Sequence, residues 1–154
     1  MALGLKACPL CFYQRSFMMA LVAMLVIGLL TGMQRDARLG LLAVPLAVAG
    51  LGVALFHVYL EANGTLECPS GLSGWGSAPQ QSLAAFGVLL LLLLLNVWGS
   101  PAVPLKRTVL AGGLVLGGLL AAGSCISNPP LPAPPTGPYQ SPPDICRRPY
   151  VPPT

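Results

Sequence analysis

Charge is what this sequence has least of. Four acidic and eight basic side chains are spread over 154 residues, and histidine occurs once. Soluble domains carry about a quarter charged residues, so a content of 8% excludes a surface that meets water all round. A soluble helical core is excluded with it, because its helices would need polar faces. The formal net charge of +4 comes from scattered cations that form no stripe, so nucleic acid is not a partner. There is no dinucleotide fingerprint, no repeat longer than a few residues, and no haem-attachment motif, since Phe12 follows Cys11 where histidine would be required.

Long hydrocarbon runs fill the space that charge leaves. Four apolar stretches, Phe17–Met33, Leu39–Leu60, Ser82–Trp98 and Thr108–Gly123, each approach the ~20 residues needed to cross a bilayer. The first can be extended back through Phe12 and Tyr13. These runs predict an all-α polytopic membrane protein, a four-helix bundle. Arg35 and Arg38 lie between the first two spans, and Lys106 and Arg107 between the last two. By the positive-inside rule those loops are cytoplasmic. The N-terminus, the loop from Glu61 to Gln81 and the tail after Gly123 are then outside, although Arg147 and Arg148 weakly oppose this.

That topology puts Cys8, Cys11, Cys68, Cys125 and Cys146 all on the outer side. Cysteines confined to an oxidising compartment fit disulfide chemistry better than a zinc site. Pro45 inside the second span predicts a kink, and Gly113 and Gly117 form a small-residue face for helix packing. Asn96 reads as an interhelical hydrogen bond. The outer loop is Gly- and Ser-rich, with Trp75 suited to the membrane interface. The tail holds 11 of the 17 prolines and favours extended segments rather than helix. The chain therefore divides into a membrane bundle, 1–124, and a Pro-rich irregular tail, 125–154.

The chemistry concentrates in "CPLCFYQR", residues 8–15. The apolar run starts directly after Cys11, so the motif opens a helix, with Pro9 at a position where its missing N–H costs nothing. Unpaired N–H groups at that end, and a nearby cation, stabilise a thiolate. Arg15, four residues after Cys11, lies one turn on along the same face; the same position also suits a plain snorkelling anchor. A membrane dithiol that is oxidised needs an electron acceptor, and a lipid-soluble quinone, ubiquinone or menaquinone, fits the location. His57 sits about a turn from the outer end of the second span, with Glu61 following on the same face. It is a candidate to bind a quinone oxygen or pass a proton, or else a histidine merely seated at the interface. No metal ligand set is assigned.

With its Cys-x-x-Cys, aromatic stretch and arginine, "CPLCFYQR" resembles the signature of the DsbB family, quinone-dependent membrane oxidases of the bacterial envelope. The resemblance spans most of residues 8–124. It implies that Cys8–Cys11 is oxidised by quinone beside Arg15, and that a second outer cysteine pair accepts electrons from a soluble thioredoxin-like (DsbA-like) dithiol oxidase. It also implies the bacterial inner membrane, with the cysteines on the periplasmic face.

Two features depart from the family pattern. A membrane helix normally precedes the dithiol, whereas only "MALGLKA" does so here, as though a first helix were lacking. The second pair normally lies in one loop, but that loop holds Cys68 alone. Cys68, Cys125 and Cys146 allow three pairings. Cys125–Cys146 is the favoured expectation, closing a loop of 20 residues worth about 3 kcal/mol, with Cys68 as a free or relaying thiol. Other readings stay open: a redox enzyme like the vitamin K epoxide reductases, or a non-catalytic membrane protein in which Cys8, Cys11 and Cys68 bind metal or brace the surface.

Overall fold

A computed structural model describes residues 8–33, 37–72, 74–99, 106–130, 133 and 135–151. The segment before Cys8 and the topogenic Arg35 lie outside the described residues. Among the described residues four helices form: α1 (Pro9–Leu30), α2 (Ala37–Ala62), α3 (Ala78–Gly99) and α4 (Lys106–Ile126). All four are long and apolar enough to cross a membrane, so this is a multi-pass membrane protein with four candidate spans.

α2 is the central helix, packed on α1, α3 and α4. Half of its apolar window is buried within the protein, against 17% for each of the others. An all-round apolar helix is the one expected inside a bundle. Small residues make that possible. Ala43, Ala47 and Ala54 are fully buried, Gly50 lets the Phe86 ring of α3 press on the α2 backbone, and Asn96 of α3 lies beside Gly40. Gly113 and Gly117 bring α4 against Val44, Pro45 and Val48, the packing role their spacing predicts. α2 runs on as one helix through Pro45. The outward faces of the other helices expose residues such as Ile27, Leu92 and Leu119, as lipid contact requires.

The ends are set by local chemistry. α1 starts where the motif predicts, with Cys8 as N-cap and the Phe12 amide donating to the Cys8 carbonyl at 3.1 Å. α3 starts four residues before the apolar run, because Ser77 and Gln80 form a reciprocal capping box. The Gln80 side chain accepts from the Ser77 amide at 3.3 Å, and the Ser77 hydroxyl accepts from the Gln80 amide at 3.4 Å. Ser77 also donates to Glu61 at 2.6 Å, tying the start of α3 to the end of α2.

The tail after α4 turns back across the bundle end. Glu67 and Arg147 pair antiparallel, exchanging backbone bonds of 2.7 and 3.0 Å. Arg147 adds an ion pair to Glu67 at 3.5 Å, stacks over the Tyr139 ring at 3.6 Å and donates to the Ser141 carbonyl.

Candidate functional site

The Glu67–Arg147 pair makes Cys68 and Cys146 its next cross-strand neighbours, and they form a disulfide. This corrects the expected Cys125–Cys146 closure. Short-loop closure entropy favoured Cys125, but the backbone ladder brings residue 146 to residue 68. The bond spans 78 residues of sequence, for which the chain-entropy relation gives roughly 4–5 kcal/mol. Cys8, Cys11 and Cys125 are free thiols.

The N-terminus of α1, the C-terminal turns of α2 and this disulfide meet at one end of the bundle. The sulfurs of Cys8, Cys11 and Cys146 and a ring nitrogen of His57 lie within 4.8 Å of one another. His57 is fully buried. Its Nε2 is 3.5 Å from Cys68 Sγ and 4.0 Å from Cys8 Sγ, and its Nδ1 is 3.3 Å from Gln14 Nε2. Five of the seven residues singled out in the sequence therefore converge. Cys125 lies outside this group, near the end of α4.

A dithiol thus stands beside a closed disulfide. Cys8, at the helix cap, is held down to about pKa 4, chiefly by the Cys11 thiol that donates to it; His57 adds to the effect and burial opposes it. It is a thiolate at neutral pH, which is the nucleophilic form. As a metal set the group is short, because Cys68 and Cys146 are committed to each other and only two free thiols and an imidazole remain.

One turn along α1, Cys11, Gln14, Arg15 and Met18 face Ala78, Pro79, Ser82 and Phe86 of α3 across a cleft of about 220 Å³. Arg15 and Cys11 share it, as their spacing predicts. His57 is not among its lining residues.

Sequence reasoning passed over Gln14. The signal was present: it lies three residues after Cys11, and a polar amide on the buried face of an apolar helix requires a partner. Glu61, expected beside His57, instead serves the start of α3 through Ser77.

Comparison with known proteins agrees with the geometry. The family model for "Disulfide bond formation protein DsbB" matches residues 1–87. The chain is 32% identical over 104 residues to "Probable disulfide formation protein C 2" of Bacillus anthracis, covering 60% of this chain and 72% of that one. It is 30% identical over 104 residues to "Probable disulfide formation protein" of Chlamydia pneumoniae, covering 61% and 74%. A shorter match, 36% over 61 residues, covering 40% of this chain and 36% of the relative, is to "Disulfide bond formation protein B 2" of Burkholderia lata. No solved structure matches.

Proposed function

This chain belongs to the DsbB family of disulfide bond formation proteins, and on that premise we propose that it oxidises a soluble thioredoxin-like dithiol partner and passes the electrons to a membrane quinone. The family supplies the class of chemistry, a disulfide-forming oxidoreductase. The observation that carries the finer reading is the free Cys8–Cys11 dithiol beside the closed Cys68–Cys146 disulfide.

The electrons balance in three steps. The partner's dithiol reduces Cys68–Cys146 by thiol–disulfide exchange and leaves as a disulfide. The reduced pair then exchanges with an oxidised Cys8–Cys11: Cys146 bonds to Cys8 and displaces Cys11, then Cys68 displaces Cys8 and closes on Cys146. Two electrons finally pass from Cys8 and Cys11 to the quinone with the one proton held by Cys11, and a second proton taken from water completes the quinol as Cys8–Cys11 reforms. The arrangement of bonds described above is the state between the second and third steps.

The cleft holding Cys11 and Arg15 suits the quinone. It has room for a flat ring, Phe86 and Met18 supply apolar contact, and a guanidinium opposite a carbonyl oxygen stabilises the charge of the reduced ring. The ring's isoprenoid tail would lie in lipid along the apolar helices. The cysteines would face the oxidising side of a bacterial cytoplasmic membrane, where the soluble partner is found.

The test is quinone reduction by purified protein in detergent, supplied with a reduced thioredoxin-like dithiol. Wild type is expected to turn over and Cys8→Ser to be inactive while retaining Cys68–Cys146. Turnover by Cys8→Ser at the wild-type rate would overturn the reading. Stoichiometric zinc in protein purified under reducing conditions would instead favour a metal-binding role.

A further inference from the structure

In thiol–disulfide exchange three sulfurs line up, and the negative charge resides on the two outer ones while the central sulfur changes partners. For the closing exchange proposed above, Cys146 is central, and Cys68 and Cys8 are the outer sulfurs. His57 Nε2 faces those two, at 3.5 Å and 4.0 Å. The ring is fully buried, and its other nitrogen faces the amide nitrogen of Gln14 at 3.3 Å. Gln14 is itself buried, at 7% exposure. An amide nitrogen can only donate. With Nδ1 accepting from that amide, Nε2 is the ring nitrogen that presents an N–H to the sulfurs.

We infer that His57, fixed in its Nε2–H tautomer by Gln14, is a standing hydrogen-bond donor to the two outer sulfurs of the internal disulfide exchange. This rests on the proposed electron path and adds to it a catalytic group and a positioning residue. The step it serves is Cys68 thiolate plus Cys146–Cys8 disulfide giving Cys68–Cys146 disulfide plus Cys8 thiolate. One sulfur–sulfur bond forms and one breaks, the charge moves from Cys68 to Cys8, and no proton crosses the ring. The donor therefore need not be recharged. It stabilises the charge wherever it stands along the path, as a preformed anion hole does for an oxygen. The ring does not line the cleft that holds Cys11 and Arg15.

The role of Gln14 follows from the same geometry. Among the described residues Gln14 is the hydrogen-bond partner of Nδ1; without it the ring is free to place its proton there, which would aim a lone pair at two electron-rich sulfurs. The sulfurs would then face repulsion where they now find a donor.

The chain's single histidine makes the tautomer directly measurable. In protein labelled with ¹⁵N-histidine, His57 is expected to show a protonated Nε2 and an unprotonated Nδ1. Gln14→Glu, whose carboxylate accepts, is expected to reverse that pattern. The kinetic arm starts from protein with both disulfides formed, mixed with one equivalent of a small water-soluble dithiol, quenched by alkylation and read by peptide mass. It follows the reduced state as it migrates from Cys68/Cys146 to Cys8/Cys11. His57→Leu and Gln14→Glu are each expected to slow migration roughly ten- to hundredfold, and His57→Gln, which keeps an N–H donor, to recover part of the rate.

A wild-type His57 protonated on Nδ1 would overturn the inference. So would an unchanged migration rate in a His57→Leu protein that still forms Cys68–Cys146. The assay contains neither quinone nor protein partner. Normal, His57-dependent migration without quinone reduction would reject the proposed overall function and leave this inference standing.

Discussion

Glu67 and Arg147 exchange both backbone hydrogen bonds, at 2.7 and 3.0 Å, and this pair decides which cysteines meet. In an antiparallel register the residue after one member faces the residue before the other, so Cys68 faces Cys146. Non-reducing peptide mapping is expected to recover a 68–146 crosslink, and to recover it unchanged from Cys125→Ser. Arg147→Pro removes one ladder donor, the ion pair and the ring stack together. It is expected to raise the reactivity of Cys68 and Cys146 towards small dithiols severalfold. Recovery of a 125–146 crosslink from native protein would refute the pairing.

The Cys8 thiolate sets a pH dependence. Its pKa lies near 4, below the ordinary thiol value of 9.0, with the Cys11 hydrogen bond the main cause and His57 adding to it. Alkylation of Cys8 by iodoacetamide is therefore expected to stay nearly constant from about pH 8 to about pH 5 and to fall only below that. Cys11→Ala is expected to move the midpoint upward by removing the larger cause, and His57→Leu to move it by less. The same depression gives a stability term with a definite sign. Between about 4 and 9.0 the unfolded chain binds the proton and the folded one does not. Stability from this group is thus full above 9.0, declines as pH falls and is gone below about 4.

The proposed path gives Arg15 and His57 different steps, which kinetics should separate. Arg15 lines the cleft with Cys11, so Arg15→Met is expected to raise the KM for quinone about tenfold and leave migration between the cysteine pairs unchanged. His57→Leu is expected to slow migration with little change in that KM. If Arg15→Met slowed migration as much as His57→Leu does, the two sites would not be distinct.

Much of this was legible in the residues, for physical reasons. Hydropathy reports spans because bilayer thickness sets a length, and all four appeared. Pro9 after Cys8 announced the helix start. His57 and Arg15 stood out because polar groups in apolar helices need a reason to be there. What failed was long-range. The Cys68–Cys146 pairing depends on a tail 78 residues away returning in one register, and loop-closure entropy alone pointed to Cys125. Gln14 carried a signal as a polar amide in an apolar helix, but which partner it meets, His57, is set by the packing of α2 on α1. The early start of α3 is legible in Ser77-x-x-Gln80, a capping-box pattern set in a Gly-rich loop.

Neighbouring glycines on α4 give a test of the bundle itself. A Cβ on Gly117 would meet the Pro45 carbonyl oxygen and Val48 Cβ at 2.6 Å, whereas one on Gly118 would meet nothing within 4 Å. The obstruction at Gly117 is backbone and a branched side chain, which cannot turn aside. Gly117→Ala should force α4 away from α2 at a cost of about 1–3 kcal/mol. At Gly118 alanine meets open lipid and gains helix propensity, so stability should hold or rise by up to about 1 kcal/mol. Thermal unfolding in one detergent, followed by helical circular dichroism, compares the pair directly. Because α2 also carries His57, a shift in α4 packing should reach the site, and Gly117→Ala should slow migration between the cysteine pairs while Gly118→Ala does not. Equal stability of the two variants would mean that α4 does not approach α2 at Pro45.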